Sequence, residues 1–353
     1  MTAKTFNGLI TVAKTFNDIR KFNPYHDRRG RFTTANGASS FTWRTNDPSQ
    51  QHLADNAIGR EKKRSLMTRD VHSRMANTMG EKHYNAFMDK VDACQNENLK
   101  ALMHTSAVQD RVCMLNAGDE TSFFHHKYNA VFLDNEDSAG LGLGDDGHEP
   151  YQVAAHEYGH ALDHNIGGDK PLSVKDGILA KALAKDFDNI LLMRRAEMEE
   201  DIKGHETDPY WLFPKYIDND TFFEMRDAQK RGLPVKPYQL DNRDVRRAGR
   251  VEFEQTLENL YRNSPRSVSC ISDMASGISF GTIKAPWIHP DEYWSRTFSL
   301  YGGLNDGAAM EAFAHITEAE LTNPAALGLI KQYFPETYSA YNSILEDAAS
   351  NLV

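Results

Sequence analysis

Cysteine is scarce in this chain: Cys94, Cys113 and Cys270 are the only three in 353 residues. An odd number with no C-x-x-C pair excludes a fully bridged disulfide scaffold and a four-cysteine metal ribbon, and it fits a reducing compartment. Long apolar runs are also missing. None approaches the roughly 20 residues that a bilayer span requires, and the longest near the start, Gly8 to Ala13, is short for the core of a signal peptide. The expectation is a cytoplasmic protein with no transmembrane segment and no signal peptide. A phosphate cradle is absent as well, because the glycine-rich stretch of Gly140, Gly142, Gly144 and Gly147 lacks a Lys-Ser/Thr ending. That stretch reads as a flexible rim.

What is present supports a folded body. Hydrophobic residues make up 40% of the chain and aromatics 10%, enough apolar surface to offset the entropy of ordering a globular domain. The net charge of -10 is unevenly distributed: residues 1–65 hold 12 Lys/Arg against 5 Asp/Glu, so a basic arm of net +7 precedes a body of net -17. Such an arm is suited to contact with nucleic acid, a virion component or an anionic surface. Within it Phe6, Leu9, Ile10, Ala13, Phe16 and Ile19 recur at helical spacing, predicting a short amphipathic helix. The expected organisation is an N-terminal arm and linker over 1–65 and a catalytic domain over 66–353, with a polar helical insertion at about 195–248.

Apolar periodicity predicts helices from about residue 66, around 173–203 and 248–263, and at 306–320 and 324–349, the last capped by Asn323-Pro324. Strands are expected over 111–115 and 128–133, and 264–290 reads as irregular because Gly277, Gly281, Pro286 and Pro290 punctuate it.

The chemistry concentrates in His156-Glu157-Tyr158-Gly159-His160, an H-E-x-x-H pattern inside a helical stretch of small apolar residues. Residues four apart share a helix face, so the two imidazoles can address one cation, and Glu157 lies about 100° further round the helix, within reach of an attacking water. A surface helix with two incidental histidines is the plain alternative. Hydrolytic zinc sites use three protein ligands. A third histidine ten residues after the first is ruled out, because Ile166 stands there. Candidates are local, Asp163 or His164, or come from a later helix, where Glu311 sits among small and apolar residues. Asp163 is better spaced to orient an imidazole than to bind metal.

The run His156 to Asp163, followed by Glu311-Ala312-Phe313-Ala314 and by Tyr333 to Tyr338, resembles the gluzincin metallopeptidases of the anthrax lethal factor type and their phage-associated zincin relatives. The resemblance covers roughly 100–345. It implies an α+β zincin-like fold with a mostly helical body, a small mixed sheet and an active-site helix. Zn2+ is then held by His156, His160 and Glu311, with Glu157 as general base. It also implies an oxyanion donor from the segment before Glu311, for which His289, Tyr293 and Tyr301 are candidates. Those relatives carry a second glutamate four residues after the glutamate ligand, where this chain has His315.

Phe22 to Phe32 is similar to a short element of phage head-morphogenesis proteins, so a phage or prophage origin is expected, with the protein in the host cytoplasm or on the virion. The expected function is a zinc-dependent endopeptidase acting on a protein or peptide substrate, with strand 128–133 as the edge that aligns it. Two rival readings are a virion or assembly component with a structural or vestigial zinc site, and an effector or toxin protease.

Overall fold

The computed structural model describes Ala54 and residues 74–114, 122–125, 128–133, 148–213, 215–286, 301–303 and 305–351. The amphipathic N-terminal helix, the basic arm, the 140–147 glycine-rich loop, His289 and Tyr293 lie outside the described residues.

In chain order the helices and strands are α1 (Arg74–Met79), α2 (Glu81–Ala93), α3 (Glu97–Met103), α4 (Ser106–Gln109), β1 (Val112–Met114), β2 (Phe123–His125), β3 (Ala130–Leu133) and α5 (Gln152–Gly167). A 3-10 turn at Leu172–Gly177 leads to α6 (Ile178–Leu192), α7 (Arg195–Ile202), α8 (Pro209–Leu212), α9 (Asn219–Lys230) and α10 (Asn242–Asn263). The chain closes with α11 (Pro265–Ile278), α12 (Asp306–Thr322), α13 (Pro324–Tyr333) and α14 (Pro335–Ser350). The architecture is mostly helical with one small sheet, which is compatible with the α+β class. Among the described residues no helix is long and apolar enough to cross a membrane.

Local chemistry sets several boundaries. The Asn96, Asp218 and Asn323 side chains accept from the first-turn amides of Leu99, Thr221 and Ala326, satisfying donors that have no intrahelical partner. Proline occupies the first turn of α8, α11, α13 and α14, where its missing N–H costs nothing. Pro335 therefore divides the single helix expected over 324–349 into α13 and α14.

Two compact units emerge, one comprising 187–256 and the other the remaining described chain. The smaller unit brackets the segment read as an insertion. It has its own core of Met198, Ile202, Leu212, Tyr216, Ile217, Met225 and Val245.

In the larger unit the sheet runs β1-β3-β2, with β1 parallel and β2 antiparallel to β3. The expectation of 128–133 as the edge strand is thus corrected: β3 is central, paired with β1 on one side and β2 on the other. The reason is that Val131, Phe132 and Leu133 are all buried, as a strand paired on both sides tends to be. The irregular reading of 264–290 is corrected too, since 265–278 forms α11. Its residues 267–278 are all buried, and Val268, Ile271, Met274, Ala275 and Ile278 keep helical spacing.

Helices α5 and α12 form the centre of the larger unit. Residues 154–163 of α5 and 306–319 of α12 are buried, so neither helix has a solvent face over these stretches. Small residues let their backbones meet. A methyl at Gly159 would lie 2.9 Å from the Ala314 Cα and 3.1 Å from the Thr317 Cβ, closer than packed atoms normally approach.

Candidate metal centre

Each of the two site helices is entered through a non-glycine residue in the left-handed region, Tyr151 (φ 67°) before α5 and Asn305 (φ 65°) before α12. The Tyr151 hydroxyl pairs with His83 Nδ1 at 3.0 Å. The chain ahead of α12 is tied down by Asp306 Oδ2, which accepts from the amides of Tyr301 (2.7 Å) and Gly303 (3.0 Å). These tethers hold backbone conformations that cost about 1–3 kcal/mol for residues with a Cβ.

From this frame His156, His160 and Glu311 converge. The two Nε2 atoms are 3.2 Å apart, and the Glu311 oxygens lie 3.4 Å from His156 Nε2 and 3.7 Å from His160 Nε2. Zinc–ligand bonds of about 2.0–2.2 Å in a tetrahedron place ligand atoms about 3.3 Å apart, so the spacing fits one small cation. The three residues are 8%, 4% and 2% exposed.

Two further groups of three, His156 with His315 and Glu318, and Asp273 with Glu311 and His315, also bring potential ligand atoms within 4.8 Å of one another. The first fits poorly, because 2.6 Å between His156 Nδ1 and Glu318 Oε2 is a hydrogen bond and is shorter than the separation of two ligands on one zinc. The second is disfavoured by His315 itself, whose two ring nitrogens each face a carboxylate oxygen.

Glu157 is buried beside this group, and its Oε2 accepts the backbone N–H of Phe124 on β2 at 2.8 Å. Burial pushes the Glu157 carboxyl up to about 7, with Glu311 and Glu318 adding repulsion and His156 and the Phe124 amide opposing it. Burial pulls His160 down to about 4, the imidazolium being the form that loses solvation. For His156 burial acts in the same direction, but Glu311 and Glu318 outweigh it and raise the ring above its ordinary value. His315, also buried, is raised to about 9 by Glu318 and Asp273. Glu318 is held well below the usual carboxylate range by His315 and His156, against its own burial.

The other expected site residues divide. His315 joins the cluster, its ring centroid 4.6 Å from that of His156. Asp163 does not serve an imidazole: it accepts from Ser173 N at 2.7 Å and from Ser173 Oγ at 2.6 Å. It thus braces the 3-10 turn, and its expected orienting role is corrected for that reason. His164 packs its ring 5.6 Å from that of Phe124. Tyr301 is partly buried, and its hydroxyl is pushed up by burial and by the charge of Asp163.

Sequence reasoning missed Glu318, Asp273, Cys270 and Gln152. For Glu318 a signal existed, since it follows Glu311 by seven residues, two helical turns along the same face.

Comparison with family models, with curated proteins and with solved structures returned no match. The functional reading therefore stands on the geometry of the site.

Proposed function

We propose that this chain is a zinc-dependent endopeptidase of the gluzincin type, with His156, His160 and Glu311 holding Zn2+ and Glu157 acting as general base. The observation that carries the reading is the convergence of the two imidazoles and the distant carboxylate at 3.2–3.7 Å, with a second carboxylate one residue along the same helix. Zinc in such a site acidifies water and polarises a carbonyl.

The remaining work falls to the chain. Glu157 takes a proton from the attacking water on its carboxylate and returns it to the leaving amine. Strand β2 supports that role by holding the base in place, through the Phe124 amide donated to Glu157 at 2.8 Å.

The depth of the three ligands also suits a structural zinc in an assembly protein. Glu157 separates the two readings, because only the peptidase needs its carboxylate for a reaction.

The expected outcome is one zinc per chain by elemental analysis and cleavage of a peptide library. Glu157→Gln should retain zinc and lose about 100-fold or more of the cleavage rate, whereas Glu311→Ala should lose tight zinc binding. Absence of zinc uptake by the wild type would refute the assignment. Full cleavage by Glu157→Gln would refute the mechanism.

A further inference from the structure

Glu318 has 0% exposure, and its two oxygens collect four partners from three helices. Oε2 meets His156 Nδ1 at 2.6 Å and His315 Nδ1 at 3.3 Å, while Oε1 meets Gln152 Nε2 at 2.8 Å and Cys270 Sγ at 3.0 Å. A carboxylate offers only acceptors, so each of the four partners donates. The second nitrogen of His315 meets Asp273 Oδ2 at 3.1 Å. Both its nitrogens face carboxylate oxygens, so both carry protons and the ring is a cation between two anions.

The order is therefore Asp273 on α11, His315 and Glu318 on α12, and His156 on α5. A core built only for stability has little use for this arrangement, since ion pairs at such depth are commonly no better than well-packed apolar side chains. Its effect on His156 is specific. With a proton fixed on Nδ1, Nε2 is the nitrogen left to bind a cation, and it is the atom 3.2 Å from His160 Nε2 and 3.4 Å from Glu311 Oε2.

We propose that Glu318 is the positioning residue of the metal centre, and that His315, itself held by Asp273, keeps Glu318 in place. The His156 ring is thus oriented, with Nε2 turned toward the two other ligands, before any cation binds. The inference deepens the zinc reading and rests on it for its purpose, but the Nδ1 proton it requires belongs to the metal-free protein. One consequence is that α11, which supplies none of the three ligands, is part of the site through Asp273 and Cys270.

The test uses full-length protein labelled with 15N-histidine and stripped of metal, with the His156 signals identified by their loss in His156→Asn. The expected spectrum has a proton on His156 Nδ1 and His315 protonated on both nitrogens. Zinc affinity, measured by competition with a chromogenic chelator, should fall about 10–100-fold in Glu318→Gln with stoichiometry unchanged. It should fall by less in Asp273→Asn.

Near-ultraviolet circular dichroism checks the fold of each variant. If Glu318→Gln does not fold, the wild-type spectrum and Asp273→Asn decide. Absence of a proton on His156 Nδ1 in the metal-free wild type would overturn the proposal, as would zinc affinity within twofold of wild type in a folded Glu318→Gln. A wild type with the expected Nδ1 proton that takes up no zinc would instead sink the zinc reading and leave the orienting contact standing.

Discussion

Asp163 lies three residues beyond His160 on α5, but its carboxylate is spent on Ser173. Burial raises this carboxyl from 3.8 to about 7, against the pull of the Ser173 donors. The native state therefore holds a proton there that the unfolded chain has already released between about pH 4 and 7. Stability from this group is complete below the unfolded value and is lost as pH rises through the folded one. Asp163→Asn removes that dependence. In urea denaturation of metal-free protein, the variant's stability relative to wild type should improve by about 1–3 kcal/mol between pH 5 and pH 8. A constant difference across that range would show that Asp163 is ionised throughout. Legibility at this scale follows distance along the chain. His156, Glu157 and His160 could be read because one helical turn sets their geometry. Glu311 could be singled out by its small and apolar surroundings, with the family resemblance favouring it over the local candidates, whereas Glu318 and Asp273 matter through contacts between different helices, 42 to 166 residues apart in sequence.

Helices α5 and α12 bring those residues together because their contact is built from small side chains. Gly159 faces Ala314 and Thr317 at separations that leave no room for a methyl, and its neighbours Ala154, Ala155, Ala312 and Ala314 are fully buried. Gly159→Ala must therefore push the helices apart at the point where a glutamate from one meets two imidazoles of the other. The expected cost is about 1–3 kcal/mol of stability by denaturation, accompanied by weaker zinc binding in the chelator competition. Loss of stability with zinc affinity intact would mean that the ligand geometry does not depend on this close approach. Long periodic helices such as α2, α5 and α10 were visible in the sequence. Strand β2, only three residues long, offered too short an alternation to read. Helix α11 was obscured by Gly277, Gly281 and the prolines beyond, although its apolar spacing was present, and Pro265 marks its first turn rather than a break.

At the scale of the molecule, all three proposed ligands, the proposed general base and the Glu318 network belong to the larger unit, while 187–256 holds a separate core. The polar segment between two helical stretches made this division visible in the sequence, but not its limits, because the unit boundaries fall inside α6 and α10, where periodicity continues unbroken. Gly249 gives a means of perturbing the smaller unit alone. A methyl there would lie 2.2 Å from the Leu191 carbonyl oxygen, and both groups are backbone-bound, so relief requires moving α10 against the end of α6 within that unit. Gly249→Ala should destabilise the smaller unit by more than about 2 kcal/mol. In hydrogen exchange this should appear as faster exchange at the amides of Met198, Leu212 and Met225, with those of α5 and α12 unchanged. Zinc stoichiometry should also be unchanged, because none of the proposed ligands lies in the perturbed unit. If zinc binding instead fell in parallel with the protection of 187–256, the two units would share one cooperative transition, and the smaller would be a structural requirement of the metal centre.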